Sequence, residues 1–311
     1  LGECLAALRS VQPTVREIIV VDDGSTDRTA EIANHHGATV IALASTHYAN
    51  YCRNLGAERA TGDILLFVDS DVVVQPDTVE KILDAFESEN TDAVIGLYSS
   101  KHRHENIASQ YKNLWIRYSY LKSLRTIDWI FGAVAAVRTE AFRKASGFDR
   151  TLFMNKGGDL ELGKRMANSR PAIVLNPAVQ VEHLKRHTLT SLLRNDYERS
   201  QGFVQLAAKL GQLARSLRKG FVNIYPGFAY SSILAWAFVA SLLIGFWVIQ
   251  FRWLAVLCAS AYLSLNLGFL IYYARHRRLQ EIPAVLGIMF LDHLVCALGS
   301  LRGVVRWLRS R

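Results

Sequence analysis

The chain has 311 residues, a formal net charge of +9 at pH 7 and 50% hydrophobic residues. Because this length can hold one large domain or two small ones, the distribution of residue types along the chain has to decide between them. A basic chain often binds nucleic acid, but the sequence has no zinc-finger, helix-turn-helix or aromatic RNA-binding signature, so we do not expect a nucleic-acid partner.

Predicted strands and helices alternate in the first part of the chain. Short apolar runs predict strands at residues 16–21, 38–43, 64–68 and 93–98, and helical spacing occurs at 27–36, 50–60 and 78–87. This alternation predicts a doubly wound α/β sheet. The unbroken apolarity of 64–68 predicts a strand buried on both faces of a parallel sheet. Ligands bind such sheets at the carboxyl ends of the strands.

Carboxylates follow two of these strands. Asp22 and Asp23 follow the first, and Asp69 and Asp71 follow the apolar strand at 64–68. For the first motif, helix capping by Ser25 or Thr26 with Asp27 in the first turn is an equally weighted alternative. The second pair would repel unless a cation or hydrogen-bond donors compensated it, although a solvated turn is the alternative. Carboxylate oxygens suit Mg²⁺ or Mn²⁺ carrying a diphosphate, so we expect one of these metals here.

Three motifs in this order resemble the family-two, inverting nucleotide-sugar glycosyltransferases with the A-type fold (GT-A): VDDGSTDRTAEIA, Arg53-Asn54-Leu55-Gly56 and ATGDILLFVDSDVVVQPDTVEKI. The resemblance implies a GT-A-like doubly wound mixed sheet, with a nucleotide-sugar-binding catalytic domain at residues 1–183. The family's first strand precedes the start of this sequence, so we expect that strand to be missing. By the same resemblance Asp22, Asp23, Arg53 and Asp69 lie near the nucleotide, and Asp71 holds the metal on the diphosphate. A surface salt bridge is the alternative role for Arg53.

Two later segments resemble the acceptor side of that family. Residues 128–133 resemble its acceptor loop, with Trp129 and Gly132 as the acceptor residues, although Gly132 also fits an ordinary turn. GGDLEL at 157–162 resembles the acidic signature whose Asp is the general base, which implies Asp159 in that role and Glu161 in reserve. The alternative is that both acids only favour a helix start. The family usually has Glu where Gly158 stands.

Two further residues complete the expected site. His183 resembles a family histidine near the metal or the diphosphate, with a structural histidine as the alternative. Arg199 is a candidate partner for the leaving group. The Gln-x-x-Arg-Trp motif of processive synthases does not occur after this point, so we expect one sugar per encounter.

The last part of the chain is hydrophobic. Between residues 228 and 274 the only charged residue is Arg252, and 228–250 and 253–274 are each long enough to cross a bilayer. A third segment, 282–301, carries Asp292 and His293 and is predicted to span or to re-enter. Residues 184–221, with eight Lys or Arg, are expected to form basic juxtamembrane amphipathic helices before the membrane region at 222–311. Phe251-Arg252 is expected to form the tight turn between the first two spans.

Together these features predict a metal-dependent, hexosyltransferase-type enzyme on the inner membrane. The basic loop at 275–278 places the catalytic domain in the cytoplasm by the positive-inside rule. Because no N-terminal signal peptide is seen, the hydrophobic segments are expected to direct targeting. The expected donor is a UDP- or GDP-linked sugar and the expected acceptor a lipid or glycolipid. A nascent polysaccharide or protein acceptor, and an inactive nucleotide-sugar-binding membrane scaffold, are the alternatives, and Gly158 keeps the second one open.

Overall fold

The computed structural model describes residues 1–88, 90–122, 126–150, 158–168, 173–213 and 226–309. They divide into two compact units. Unit 1 comprises Leu1–His102 and Ser123–Lys185, and unit 2 comprises Arg103–Lys122 and Arg186–Arg311. The sequence analysis included residues 103–122 in the catalytic domain. In the structure, the contacts of these residues group them with the C-terminal helices.

In chain order the helices and strands have the following bounds: α1 (Gly2–Arg9), β1 (Ile19–Asp22), α2 (Thr29–His35), β2 (Thr39–Ala42), α3 (Tyr48–Arg59), β3 (Ile64–Val68), β4 (Val72–Val74), α4 (Thr78–Ser88), β5 (Ala93–Tyr98), α5 (Ile107–Leu121), β6 (Thr126–Ile127), β7 (Val134–Arg138), α6 (Thr139–Lys144), α7 (Gly158–Asn168), β8 (Ile173–His183), α8 (Leu189–Lys209), α9 (Pro226–Ile244), α10 (Gln250–His276) and α11 (Ile282–Arg309). The predicted strands 64–68 and 93–98 match β3 and β5 at both ends. The predicted helices match α2, α3 and α4 to within two residues, whereas β4, α5, β6 and β7 were not predicted.

Unit 1 is built on two sheets. β1 and β2 pair in parallel, and the larger sheet has the order β3-β7-β5-β8-β4, with β6 paired to β8. In the larger sheet β5 and β8 run parallel, while the other pairs are antiparallel. Every residue of β5 is buried, which indicates that both faces of this central strand are covered. The predicted mixed α/β sheet is confirmed.

The prediction for β3 was wrong about both its pairing direction and its burial. In the described part of the chain β3 pairs only with β7, and this pairing is antiparallel. Leu65 is its one fully buried residue, so the strand is not covered on both faces. An apolar run indicates that a strand is at least partly buried, but it does not specify the direction of the neighbouring strand.

Among its described residues, unit 2 contains three helices that are long and apolar enough to cross a membrane: Pro226–Ile244, Gln250–His276 and Leu279–Arg309. The turn expected at Phe251-Arg252 lies instead at residues 245–249, because both residues belong to the first turn of α10. There the side chain of Arg252 donates from Nε to the carbonyl of Gly245 at 2.9 Å. α11 is a continuous helix of 28 residues, so its length suffices for a full crossing.

Candidate active site

Four of the predicted site residues lie together at one end of the larger sheet. Asp69 directly follows β3, and Gly132 lies just before the antiparallel partner β7. Arg53 of α3 donates from Nη2 to Asp69 Oδ1 at 2.7 Å. Asp159 of α7 accepts the backbone N–H of Gly132 on Oδ2 at 3.0 Å. The structure therefore brings residues from four separate segments into one polar cluster.

Gly132 lies at the centre of this cluster. A Cβ atom at this position would be 3.2 Å from both Arg53 Nη2 and Asp159 Oδ2. That distance is shorter than an ordinary van der Waals contact, so a side chain would displace one of the two groups. From the sequence, Gly132 was predicted to let a sugar approach the backbone. Because it has no side chain, it also leaves space for the Arg53 guanidinium and the Asp159 carboxylate close to that backbone.

The carboxyl group of Asp69 is surrounded by charges of both signs. Burial raises the pKa of Asp69, the Arg53 guanidinium opposes that shift, and the nearby Asp71 and Asp159 add to it. The side chain still exposes 39% of its surface, so a ligand can reach it. Because the three carboxylates repel one another, a positively charged ligand would be favoured beside them.

Asp71 and His183 form a second pair beside this cluster. β4 pairs with β8 so that Val72 lies opposite His183, which brings His183 Nε2 to 3.4 Å from Asp71 Oδ2. The hydrogen bond from His183 is the largest cause lowering the pKa of Asp71. The imidazole stacks on the ring of Tyr98 with centroids 4.6 Å apart, which fixes its orientation.

The donor set at Asp71 fits a divalent cation shared with a substrate. Carboxylate oxygen and imidazole nitrogen are both ligands of first-row divalent metals. The Asp71 side chain is 46% exposed. In the described ranges no three His, Cys, Asp or Glu side chains form a group that could hold a metal alone. Positions would therefore remain for phosphate oxygens and water, as Mg²⁺ and Mn²⁺ require.

Asp22 and Asp23 accept hydrogen bonds from backbone N–H groups. Asp22 is 7% exposed and accepts the backbone N–H of Ser25 on Oδ1 at 2.9 Å. The carboxylate of Asp23 accepts the backbone N–H groups of His47 at 2.6 Å and Tyr48 at 2.9 Å. Capping of α2 by Ser25 or Thr26 is not observed, because the N-cap residue is Arg28 and no side-chain hydrogen bond caps the helix. Asp23 instead accepts from backbone N–H groups at the start of α3. Contact of these residues with a nucleotide stays a prediction.

Glu161 is placed differently from Asp159. It is 5% exposed, and its two carboxylate oxygens accept from Arg165 at 2.6 and 2.8 Å. Arg165 also donates to the carbonyl of Gly147 at 2.6 Å. This arrangement ties α7 to the turn at Gly147 and leaves Glu161 engaged in an ion pair.

Trp129 and Arg199 lie in different units. Trp129 is 2% exposed, and a Cβ at Gly163 of α7 would be only 2.4 Å from its Cα, so the helix packs directly on it. A role for Trp129 towards an acceptor would therefore come from its backbone or from the loop it supports. Arg199 belongs to α8 of unit 2, where its guanidinium lies 5.5 Å from the ring centroid of Phe203.

Sequence reasoning missed two buried asparagines on α3. Asn50 is 6% exposed and donates to the carbonyl of Asp149 at 2.9 Å. Asn54 is 5% exposed and both donates to and accepts from the backbone of Phe148 at 2.8 Å. Their four-residue spacing places them on one helix face, with Arg53 adjacent. The sequence signal was a pair of poor helix formers four residues apart in a helical segment.

Comparisons with known proteins agree with this geometry. Residues 1–146 match the family model described as Glycosyl transferase family 2. The uncharacterized glycosyltransferase YibD of Escherichia coli (strain K12) is 37% identical over 84 residues, which cover 26% of this chain and 24% of that protein. The pre-mycofactocin glycosyltransferase of Mycobacterium tuberculosis (strain ATCC 25618 / H37Rv) is 26% identical over 195 residues, which cover 59% of this chain and 41% of that protein. The chain thus spans less than half the length of either relative.

One solved structure is similar over nearly the whole chain. It is the mannosyltransferase PcManGT from Pyrobaculum calidifontis in complex with GDP-Man and Mn²⁺, with a TM-score of 0.55 and 18% sequence identity. The match covers 96% of this chain and 82% of that chain. At this identity the likeness shows the fold alone, and it confirms the predicted GT-A-like fold.

Proposed function

We propose that the protein is a metal-dependent, inverting glycosyltransferase, because residues 1–146 match the family model described as Glycosyl transferase family 2. It moves one sugar from a UDP- or GDP-linked donor to a lipid-linked acceptor at a membrane. The observation that supports this most is the placement of Asp159 and Arg53 on either side of Gly132, with Asp69 bound to Arg53. This arrangement places the Asp159 carboxylate, which can accept a proton, next to Arg53 and Asp69, which are suited to contact a nucleotide.

The donor occupies the side of the cluster formed by Arg53, Asp69 and the Asp22-Asp23 turn. Asp71 and His183 hold Mg²⁺ or Mn²⁺, which neutralises charge on the diphosphate when it is bound. The similar mannosyltransferase was solved with GDP-Man and Mn²⁺, which agrees with this choice of donor class and metal. Arg199 is kept as a proposed contributor to leaving-group stabilisation.

Asp159 is the general base. Its Oδ1 accepts the backbone N–H of Leu160 at 3.0 Å and its Oδ2 that of Gly132, also at 3.0 Å, so the carboxylate is fixed in orientation. It takes the proton of the acceptor hydroxyl as that oxygen bonds to the anomeric carbon. The bond from this carbon to the diphosphate oxygen breaks on the opposite face, and its electron pair leaves with the nucleotide. Because the hydroxyl attacks from the face opposite the departing diphosphate, the configuration at the anomeric carbon inverts.

Glu161 does not compete for this role. Both of its oxygens accept from Arg165 and only 5% of its surface is exposed. Deprotonating an acceptor would require this partly buried ion pair to break first and would leave the buried Glu161 carboxylate without that partner. The loop at Trp129 and Gly132 then forms the acceptor side next to Asp159.

The membrane-length helices support a lipid-linked acceptor. Three of them occur in unit 2, so the chain is suited to a bilayer. An acceptor that lies in the same bilayer is confined close to the enzyme. The catalytic unit would face the cytoplasm, where nucleotide sugars are the available donors, on the side of the basic loop at 275–278.

The test uses the full chain in detergent with radiolabelled UDP- and GDP-sugars, membrane lipid extract and Mn²⁺. We expect label in the organic phase with one donor, dependent on both the lipid and the metal. The Asp159→Asn variant is the matched control, because it keeps the size of the side chain but cannot accept the proton. Label confined to a water-soluble product would contradict the lipid acceptor. Donor binding without transfer or hydrolysis would favour the inactive scaffold.

A further inference from the structure

The start of α7, which carries Asp159, lies unusually close to α3. A Cβ atom at Gly158 would be 2.2 Å from Asn50 Oδ1, 2.4 Å from Nδ2 and 2.6 Å from Cγ. Distances this short do not occur between real Cβ atoms and their neighbours. With Asn50 in its present position, therefore, residue 158 can carry no side chain.

Asn50 is held in this position by its surroundings. It is 6% exposed on α3, and its Nδ2 donates to the carbonyl of Asp149 at 2.9 Å. One helical turn further on, Asn54 is bonded to the backbone of Phe148 in both directions. Moving the Asn50 amide away from Gly158 would break its bond to Asp149 and leave a buried polar group without that partner.

The same helix face also carries Arg53, the partner of Asp69. α3 therefore contacts the site at two points: Arg53 on the nucleotide side and Asn50 at the start of α7. The resemblance implied Glu where Gly158 stands. Here the neutral amide of Asn50 occupies the space in which a side chain at residue 158 would begin.

We propose that Asn50 is a positioning residue for Asp159, and that Asn50 and Gly158 act as a matched pair that sets the place of the base against Gly132. This inference rests on the proposed function, because it assigns a role within that transfer reaction. Asn50 does not touch the reacting atoms. It fixes where α7 begins, and Asp159 is the next residue of that helix.

The test is a cycle of three variants in the full-length protein: Gly158→Ala, Asn50→Ala and the double variant. Gly158→Ala forces α7 away from α3, and a displacement of this kind lowers kcat by about 100-fold. The donor KM should stay within about twofold, because Arg53 and Asp69 are untouched. In the Asn50→Ala background the added methyl group occupies the vacated space, so Gly158→Ala should there be neutral or improve kcat.

The control is Gly56→Ala, a glycine in α3 whose added Cβ would meet only Val21 at an ordinary 3.5 Å. Its kcat should equal that of the wild type. The inference is overturned if Gly158→Ala keeps wild-type kcat, or if its loss of kcat is the same with and without Asn50. An increase in the donor KM with unchanged kcat also overturns the inference. A wild-type protein that transfers no sugar would instead refute the proposed function, and this inference with it.

Discussion

Asp159 and Glu161 are two residues apart on α7, yet their surroundings differ. Asp159 accepts two backbone N–H groups at the edge of the site, while Glu161 is buried and paired with Arg165. The sequence offered both acids as candidates for the general base. It could not decide between them, because two acids near a helix start do not reveal which one faces the active site. The orientation depends on the turn at Gly147, which supplies a carbonyl to Arg165.

Glu161→Gln tests the structural role of this acid. The change removes a charge-assisted pair with Arg165, so we expect a loss of about 1.5 to 3 kcal/mol in the free energy of unfolding. Denaturant unfolding of the purified protein measures it. The transfer rate under conditions that keep the variant folded should stay near that of the wild type. A rate as low as that of Asp159→Asn would show that Glu161 takes part in the chemistry.

Asp71→Asn tests the metal site. In Mn²⁺ the variant should bind the nucleotide sugar at least about tenfold more weakly, equivalent to about 1.4 kcal/mol. In excess chelator the wild type and the variant should bind the nucleotide sugar with equal affinity, because Asp71 contributes to this affinity only through the bound cation. Glu140→Gln, at an 85% exposed position on α6, is the control and should match the wild type in both conditions. Calorimetric titration gives the affinities, and equal affinities of Asp71→Asn and wild type in Mn²⁺ would contradict the assignment.

At the scale of elements, α5, with 15 residues, is the longest element that the sequence analysis did not predict. Polar residues occupy buried positions along this helix, among them Lys112 at 6% exposure, so its apolar pattern is not that of an ordinary amphipathic helix. Its partner, Asp196 of α8, lies 84 residues later in the chain and accepts from Lys112 Nζ at 2.6 Å. A local pattern cannot reveal a pairing at that separation. β3 and β5, whose apolar runs are local, were predicted at both ends.

Lys112→Met tests this ion pair. The side chains of Lys112 and Asp196 are 8% and 5% exposed, so removal of the lysine leaves a buried carboxylate without that cation. We expect a loss of about 3 to 5 kcal/mol in stability. The double variant Lys112→Met/Asp196→Leu should recover most of that loss, because neither charge then remains. Unfolding in detergent compares the three proteins, and a double variant less stable than Lys112→Met would refute this account.

At the scale of the whole molecule, residues 1–146 match a glycosyltransferase family and three membrane-length helices follow in unit 2. The composition predicted this division, because charge almost disappears between residues 228 and 274. Large apolar side chains remain exposed in this region, among them Trp247 at 84% in the turn after α9 and Trp253 at 76% on α10. Such surfaces are expected to face lipid. The exact turn between the first two helices was not predictable, because the apolar sequence continues through it.

The membrane account predicts how the protein fractionates. Because apolar helices that cross the bilayer are not released by high pH, we expect the chain to stay with carbonate-washed membranes. In inside-out vesicles the catalytic unit should be open to protease, as the positive-inside rule requires. Right-side-out vesicles are the control and should protect it. Release by carbonate would contradict membrane spanning, and the reverse protease pattern would contradict the orientation.

The most direct test of the central claim is the single-turnover transfer rate of Asp159→Asn, measured together with its affinity for the donor. A general base of this kind contributes about 100- to 10,000-fold to the rate, so we predict a loss in that range with donor affinity unchanged. A variant that transfers sugar as fast as the wild type would contradict the assignment of Asp159 and the reaction built on it.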